Sequence, residues 1–306
     1  GFNWDVIYVP AGVKVTFNMN GHKIDRALTE EQDNGEVMSI GEGADVIIND
    51  GTIRGGWSDN GAGGIHIFDN AIVTLNNVHI IGNQADSDDG AGIAIYDGAT
   101  LTMNGGEISH NALHAYDLNE ISIGIKSRCY GAGIYIEDST AIFNNVTFLN
   151  NYNRYANQHG GAIYATDSNV TINGCAFMKN GNYWPKATSS SYSIVYAEDS
   201  TLTVKNSTFT RNGGEVNDDY LYVLGSGDSG VFLLDNATLL MDNCKFTDNL
   251  AWYCIRDVDD SLIQVSNTIF DNNDSAVLCG DGDTSDESFF KKCKFKDTGK
   301  NGRKDF

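Results

Sequence analysis

The sequence is poor in several features that would point to other protein classes. Only two of its 306 residues are proline, and no apolar run approaches the length of a membrane span. No two cysteines have CxxC spacing, which argues against a structural zinc site. The sequence also lacks a signal peptide, in which a charged segment precedes an apolar one, and its strand pattern is already under way at Gly1. We therefore expect a module of a larger, multimodular secreted protein without a transmembrane segment.

Basic residues are scarce as well. Lysine and arginine number 20 against 41 aspartate and glutamate residues, which gives a formal net charge of −21. Nucleic acid is excluded as a partner because phosphate binding needs a basic face. An anionic polysaccharide is disfavoured for the same reason, unless cations bridge the two. Lysines cluster only within residues 289–306, which we interpret as a solvated C-terminal cap with a basic tail.

Glycine and asparagine are abundant, and one short pattern recurs along the chain. A Gly-rich or small-residue segment begins a strand, and an aromatic or aliphatic residue follows it by about fifteen residues. Three residues after that stands an asparagine. The spacing of roughly 24 to 40 residues between copies indicates one supersecondary unit stacked many times. The pairs are Ile80/Asn83, Ile108/Asn111, Phe148/Asn151, Phe177/Asn180, Phe209/Asn212, Phe246/Asn249 and Phe270/Asn273.

One copy of the unit, residues 160–180, shows what is repeated. Ile163 and Ala165 alternate with polar neighbours, and Val170 and Ile172 do the same after a polar corner. A third short apolar segment ends at Phe177. Three period-2 strands separated by turns, repeated coil after coil, predict an all-β parallel β-helix. We expect one domain over residues 1–306, a solenoid of about ten coils with residues 1–36 as N-terminal coil and cap.

The motifs also resemble a known family. The GGAIY of Gly160–Tyr164, followed by the FMKN of Phe177–Asn180, resembles the polymorphic outer membrane protein repeat, which is defined by GGAI and FxxN. The opening, with VPAG at Val9–Gly12 and DGTI at Asp50–Ile53, resembles secreted or surface right-handed β-helix proteins of anaerobic bacteria. The resemblance implies a right-handed, single-stranded, pectin-lyase-like solenoid that is secreted or displayed on a bacterial cell surface. Such proteins include adhesins and carbohydrate-active enzymes.

The repeated polar residues are interpreted as turn residues. Asparagine accepts left-handed φ and hydrogen-bonds the neighbouring backbone, and an aspartate column at the first corner is read in the same way. Two residues before Phe177, Phe246 and Phe295 stand cysteines, which we expect to be buried free thiols. Counting residues back from the phenylalanine of each coil places Cys254 and Cys279 in another shared column. A disulfide between these two cysteines is therefore an alternative to free thiols. The aspartates of the corner are Asp97, Asp138, Asp167, Asp199 and Asp260.

The length variation falls at one corner, directly after each repeated asparagine. Insertions at one corner project from one edge of a solenoid and commonly mark a binding face. The neighbouring strand adds an outward column one coil spacing, about 4.8 Å, apart. Amphipathic rings beside polar groups are what sugars stack on, although the loops could instead fold back and bury the rings. The candidate ligand-binding residues are His66, Tyr135, Tyr164 and Tyr196 in the column, predicted to be exposed, and Trp57, Tyr152, Tyr155, His159 and Trp184 in the loop wall.

Two kinds of catalysis would fit the same cleft. A uronate lyase needs a base, for which Arg154 and Lys186 are candidates, and it needs calcium, the one cofactor that the sequence suggests. The candidate calcium ligands are Asp86, Asp88 and Asp89. A glycoside hydrolase needs two carboxylates, and Glu137 and Glu198 lie two coils apart in one column, roughly 9.6 Å.

No lyase or polygalacturonase signature accompanies these candidates. The sequence therefore favours a non-catalytic module that binds a polysaccharide or surface glycan through an aromatic-lined face. A polysaccharide lyase or hydrolase and a structural stalk or spacer are the alternatives.

Overall fold

The structure is a computed structural model that describes residues 6–59, 61–86, 89–114, 130–153, 159–182, 193–213, 230–273, 276–280 and 287–298. These residues form short strands that pair in parallel with the matching strand one coil later. Within the same ranges there is no helix of the length and apolarity that crossing a membrane requires. The predicted architecture, an all-β right-handed parallel β-helix, is confirmed.

Sheet A contains the first strand of every coil. Its ten strands lie side by side in chain order, so the described ranges contain ten coils, which agrees with the predicted number of about ten. They are Ile7–Val9, Met38–Ile40, Ile65–Ile67, Ile93–Ile95, Ile134–Glu137, Ile163–Thr166, Ser193–Glu198, Gly230–Asp235, Tyr253–Asp259 and Ala276–Gly280.

Sheet B contains the second and third strands of the coils. In three early coils these two strands are continuous, and elsewhere a polar corner separates them. The continuous strands are Asp45–Arg54, Ile72–Ile81 and Thr100–Ser109. The separate second strands are Lys14–Asn18, Thr140–Asn144, Asn169–Asn173, Thr201–Lys205, Thr238–Asp242, Leu262–Ser266 and Phe289–Lys291. The separate third strands are Lys23–Asp25, Thr147–Leu149, Ala176–Met178, Thr208–Thr210, Lys245–Thr247, Ile269–Asp271 and Lys294–Lys296.

Sheet C is a fourth layer that the sequence does not predict. Four of its strands begin at the residue directly after a repeated asparagine, and the fifth begins after Gly56, at the corner where we expect loops that project from the edge. The insertions therefore start as a small sheet of their own. The strands of sheet C are Trp57–Ser58, Gln84–Asp86, Ala112–His114, Tyr152–Asn153 and Gly181–Asn182.

A column of stacked phenylalanines runs through the core. Phe148 and Phe177 lie with ring centroids 4.4 Å apart and planes within 4°. The stack continues through Phe209, Phe246 and Phe270 at centroid distances of 4.8, 4.7 and 4.9 Å. These rings are fully buried. Because each ring packs on its own copy one coil away, the phenylalanine of the motif is explained by core packing.

The repeated asparagines form a buried amide ladder. In each member the side-chain Nδ2 donates to a backbone carbonyl of the preceding coil, as from Asn180 to Phe148 at 2.9 Å. The same Nδ2 also donates to the Oδ1 of the next asparagine, Asn212, at 3.2 Å. The backbone N–H of each asparagine donates to that Oδ1 too, at 3.1 Å for Asn180. The asparagines thus satisfy buried backbone groups, as expected.

The left-handed backbone of this corner is not carried by those asparagines, which corrects the sequence-based interpretation. The residue just before each one has positive φ, which is 65° for Gly82 and between 52° and 56° for His110, Asn150, Lys179, Arg211, Asp248 and Asn272. At the first corner the predicted aspartates do carry left-handed φ, between 33° and 49°. Their interpretation as turn residues is therefore confirmed.

Cys175, Cys244 and Cys293 are free thiols. Cys175, Cys244 and Cys254 are buried, and Cys293 is half-buried. The expected shared column exists, but Ser207 lies between Cys175 and Cys244 and bonds the Cys175 backbone N–H. The expectation that Cys254 and Cys279 share a column is wrong, because Cys279 pairs with Arg256.

Candidate functional site

The outer face of sheet A carries two parallel columns of side chains, fixed by the strand register. Ile65 and Ile67 point into the core, so His66 between them points outward, and the same alternation holds in later coils. The ring column consists of Tyr8, Ser39, His66, Ala94, Tyr135, Tyr164, Tyr196 and Leu233. Two residues further along each strand, the carboxylate column contains Phe68, Tyr96, Glu137, Thr166, Glu198 and Asp235.

The predicted tyrosine ladder exists, but it is not exposed. Tyr135 and Tyr164 stack at 5.3 Å and 14°, and Tyr164 and Tyr196 stack at 4.7 Å and 18°. Their exposed fractions are only 7%, 7% and 8%, so the prediction of an exposed ladder is wrong. The three rings belong to a small second core together with Ala62, Ala94 and Leu233, and Tyr96 and Tyr130 pack against it.

Two residues at the ends of insertions cover the ladder. The ring of Tyr130 stacks on Tyr164 at 4.5 Å, and the imidazole of His159 stacks on Tyr196 at 4.7 Å. Burial lowers the pKa of His159 to about 4, so its ring is neutral at neutral pH. His159 therefore lies beside the ladder as predicted, but as an uncharged packing residue.

Each tyrosine hydroxyl of the ladder donates to a carboxylate of the neighbouring column. Tyr135 donates to Glu137 at 3.1 Å, and Tyr164 donates to Glu198 at 3.2 Å. Tyr196 donates to Asp235 at 3.2 Å, a carboxylate that the sequence did not single out. Burial raises the pKa of both Tyr164 and Tyr196 far above the usual value, so the phenols stay neutral donors. The stacked tyrosines thus hold three carboxylates in a row along the outer face of sheet A.

The register places the two predicted catalytic carboxylates as expected. Glu137 pairs with Thr166, and Thr166 pairs with Glu198, so the two acids are two coils apart. Asp235 follows Glu198 directly, one coil further on. Whether these acids perform any chemistry stays a prediction. The hydrogen bonds from the tyrosine hydroxyls hold each of the three carboxylates in position on the outer face of sheet A.

The aromatic side chains are exposed at the N-terminal end of the same face. Tyr8 is 60% exposed and Phe68 is 37% exposed. The imidazole of His66 stacks on Phe68 at 4.1 Å with planes within 9°, which fixes the Phe68 ring. The predicted residue His66 therefore lies in the open part of the face. Sequence reasoning missed Tyr8, although its place in the first coil, two register positions before His66, could have revealed it.

Other predicted residues lie on sheet C, away from the ring column. Trp57 and Tyr152 share one register column, with Gln84 and Ala112 between them. The indole of Trp57 lies 5.4 Å from the imidazole of His114. Trp57 and Tyr152 thus lie in sheet C, whereas His66 and the tyrosine ladder lie in sheet A.

The candidate calcium ligands have separate partners. Asp86 lies on sheet C with Oδ1 3.8 Å from Nδ1 of His114, and burial together with nearby Glu31 raises the pKa of Asp86 to about 7. Asp89 accepts the backbone N–H of Tyr130. No group of three or more His, Cys, Asp or Glu residues within the described ranges is arranged to hold a metal ion. Asp88 lies outside these ranges, so calcium binding stays a prediction.

Four further candidates also lie outside the described residues: Arg154, Tyr155, Trp184 and Lys186.

Comparison with known families supports the fold. Residues 6–183 and 127–304 both match the family model of the right-handed β-helix region. The chain belongs to the right-handed β-helix family. No curated protein matches its sequence.

Two solved structures are similar to this β-helix. One is PfbA, a surface adhesin of Streptococcus pneumoniae, at 10% identity and a TM-score of 0.30, over 95% of this chain and 82% of that one. The other is the catalytic domain of a GH87 alpha-1,3-glucanase in complex with nigerose, at 10% identity and a TM-score of 0.27. The match covers 96% of the β-helix and 60% of the glucanase chain. At these values the likeness carries no functional argument.

Proposed function

We propose that this β-helix is an extracellular, non-catalytic module that binds carbohydrate or mediates adhesion through the outer face of sheet A. The observation that carries the proposal is the exposed aromatic surface at the N-terminal end of that face. There Phe68 is held in place by His66, and Tyr8 stands exposed two coils away. Exposed rings with fixed orientation beside carboxylates suit the apolar faces and hydroxyl groups of sugars.

The rest of the face supports the same function. The bonds from Tyr135, Tyr164 and Tyr196 hold Glu137, Glu198 and Asp235 in one row along the solenoid. Such a row of fixed acceptors runs in the direction in which a polymer would extend across successive coils. Preordered side chains reduce the entropy that is otherwise lost when binding fixes their rotamers.

The test is glycan-array binding of the wild type and the Phe68→Ala variant. We expect an affinity loss of about fivefold, since a stacked aromatic contact contributes on the order of 1 kcal/mol. The variant is preferable to Tyr164→Ala because the Tyr164 ring is buried, and its removal would also disturb packing.

Ile72→Ala is the matched control. Ile72 is 54% exposed but lies on sheet B, so its loss removes a similar exposed apolar group from another face. Equal affinities of Phe68→Ala and Ile72→Ala would reject this face as the binding surface. Absence of binding to any glycan would favour the stalk or spacer.

A further inference from the structure

The N-terminal end of sheet A contains an open groove with a volume of about 560 Å³. The groove exists because small residues interrupt both columns. Ser39 stands between Tyr8 and His66 in the ring column, and Gly41 lies in the register position before Phe68. The coil with Tyr8 and the coil with Phe68 are therefore separated by one coil of small side chains, about 9.6 Å in all. Along the solenoid axis this distance leaves room for one ligand ring, because van der Waals contact takes roughly 3.5–4 Å on each side. Tyr8 and Phe68 border that room from two neighbouring columns.

The residues that line the groove include a buried carboxyl group. Glu36 is only 7% exposed, and its Oε2 atom is buried without a hydrogen-bond partner. Burial raises the pKa of Glu36 above its usual value. The neighbouring Arg26 moderates this rise, but its guanidinium donates to the backbone oxygens of Asn34 and Glu36. A buried carboxyl oxygen with no partner is costly, and a ligand that donates to it would remove that cost.

The charge of the groove is negative. Besides Glu36 it is lined by Glu42 and Asp69, which lie two residues beyond the paired Ile40 and Ile67 and so face each other one coil apart. Among the described lining residues, three are acidic and none is basic. Three carboxyl groups around two exposed rings favour a cation, since ammonium groups are attracted both to carboxylates and to ring faces.

From these contacts we infer that the groove binds a sugar ring that carries a free, protonated amine, with the ammonium group donating to Glu36. The ring of the amino sugar packs between Tyr8 and Phe68, and Glu42 and Asp69 attract its charge. This inference rests on the proposed function and deepens it, because it names the ligand class as an amino sugar. It also agrees with the net charge of −21, which repels anionic glycans.

The experiment compares two ligands by isothermal titration at about pH 6, where a sugar amine is protonated. One ligand is a β-linked glucosamine trimer with free amines, and the other is its N-acetylated counterpart. We expect the free-amine trimer to bind about tenfold more tightly or better, because a hydrogen bond to a charged group adds to the stacking. Rising salt should weaken only this preference.

The key variant is Glu36→Gln, which keeps the shape of the side chain and removes its charge. We expect it to lose about tenfold in affinity for the free-amine trimer and to bind the acetylated trimer as the wild type does. The second variant, Glu42→Gln combined with Asp69→Asn, changes side chains at the surface and decides the matter if Glu36→Gln does not fold. It should also reduce the preference for the free amine.

The outcomes separate this inference from the proposed function. Equal binding of both trimers, lost in Phe68→Ala, would overturn the amino-sugar inference and leave glycan binding intact. An unchanged preference in a folded Glu36→Gln variant would overturn it as well. A lysine-rich peptide that binds as tightly as the free-amine trimer would show that the ligand is a protein cation instead. If neither trimer binds and the wider array is also silent, both proposals fail.

Discussion

Replacing Asn180 by alanine tests whether the amide ladder holds the coils together. The Oδ1 of Asn180 accepts from the backbone N–H and the Nδ2 of Asn151, both at 3.0 Å. Its Nδ2 donates to the carbonyl of Phe148 at 2.9 Å and to Asn212. Alanine would leave the N–H of Asn151 without this acceptor and the carbonyl of Phe148 without this donor. At roughly 1–3 kcal/mol for each buried unsatisfied group, the expected loss is about 2–6 kcal/mol.

The chain supplies a matched control in its second asparagine ladder, which lies at the surface. Asn104 donates to Asn76 at 2.9 Å and accepts from Asn144 at 3.0 Å. Because water replaces these bonds, Asn104→Ala should change the free energy of unfolding by only about 0.5 kcal/mol.

The assay is urea unfolding followed by circular dichroism, together with hydrogen exchange. Exchange is needed because repeat arrays can open locally, so that one unfolding transition does not report the whole chain. We expect faster exchange in the coils on either side of position 180. Equal destabilisation by Asn180→Ala and Asn104→Ala would refute the view that burial, and not mere stacking, gives the ladder its strength.

Two further predictions concern titratable groups. Because burial and Glu31 raise the folded-state pKa of Asp86 to about 7, protonation stabilises the folded state, and this contribution is lost as the pH rises from about 4 through about 7. In thermal melting, Asp86→Asn should therefore be more stable than the wild type at about pH 8, by about 2–4 kcal/mol after solvent screening, and equal to it near pH 4. Burial raises the pKa of Cys244 to about 11, so alkylation of the native protein, mapped by mass spectrometry, should modify Cys293 well before the buried thiols, and equal labelling would contradict the described core. Those thiols are Cys175, Cys244 and Cys254.

The regular part of the coil could be predicted because its residues act on their own copies. Phe177 stacks on Phe148 and Phe209, and Asn180 is hydrogen-bonded to Asn151 and Asn212. Because each repeated residue contacts its own copies in the neighbouring coils, the repeat in the sequence already predicts these contacts. Register is fixed in such an array, since a slip by one residue would turn the core side chains outward.

The candidate site could be predicted only in part. The register correctly placed Tyr135, Tyr164 and Tyr196 in one column, but it contains no information on what covers them. Tyr130 and His159 lie at the ends of insertions that occur once, so no repeat reveals where their side chains pack. The groove was missed for a related reason, because it arises from small residues, whereas a binding face is sought in a sequence through its large ones.

The offset between Cys254 and Cys279 marks a third limit. Cys279 stands 16 residues before Phe295, whereas its register partner Arg256 stands 14 residues before Phe270, so the last coil has two more residues between these strands. Counting from the motif assumes a constant number of residues from strand to corner. A local irregularity breaks that assumption and changes which residues face each other.

The amide ladder also determines how the solenoid would unfold under a force along its axis. Its successive rungs are 28, 40, 29, 32, 37 and 24 residues apart in sequence, although each adds the same height to the solenoid. Tension would load the rungs in series, so the coils would yield one at a time. The slack released by each would differ, from about 80 Å for the shortest coil to about 140 Å for the longest. The coils are therefore evenly spaced in the folded state, but they would release unequal lengths of chain when they unfold under force.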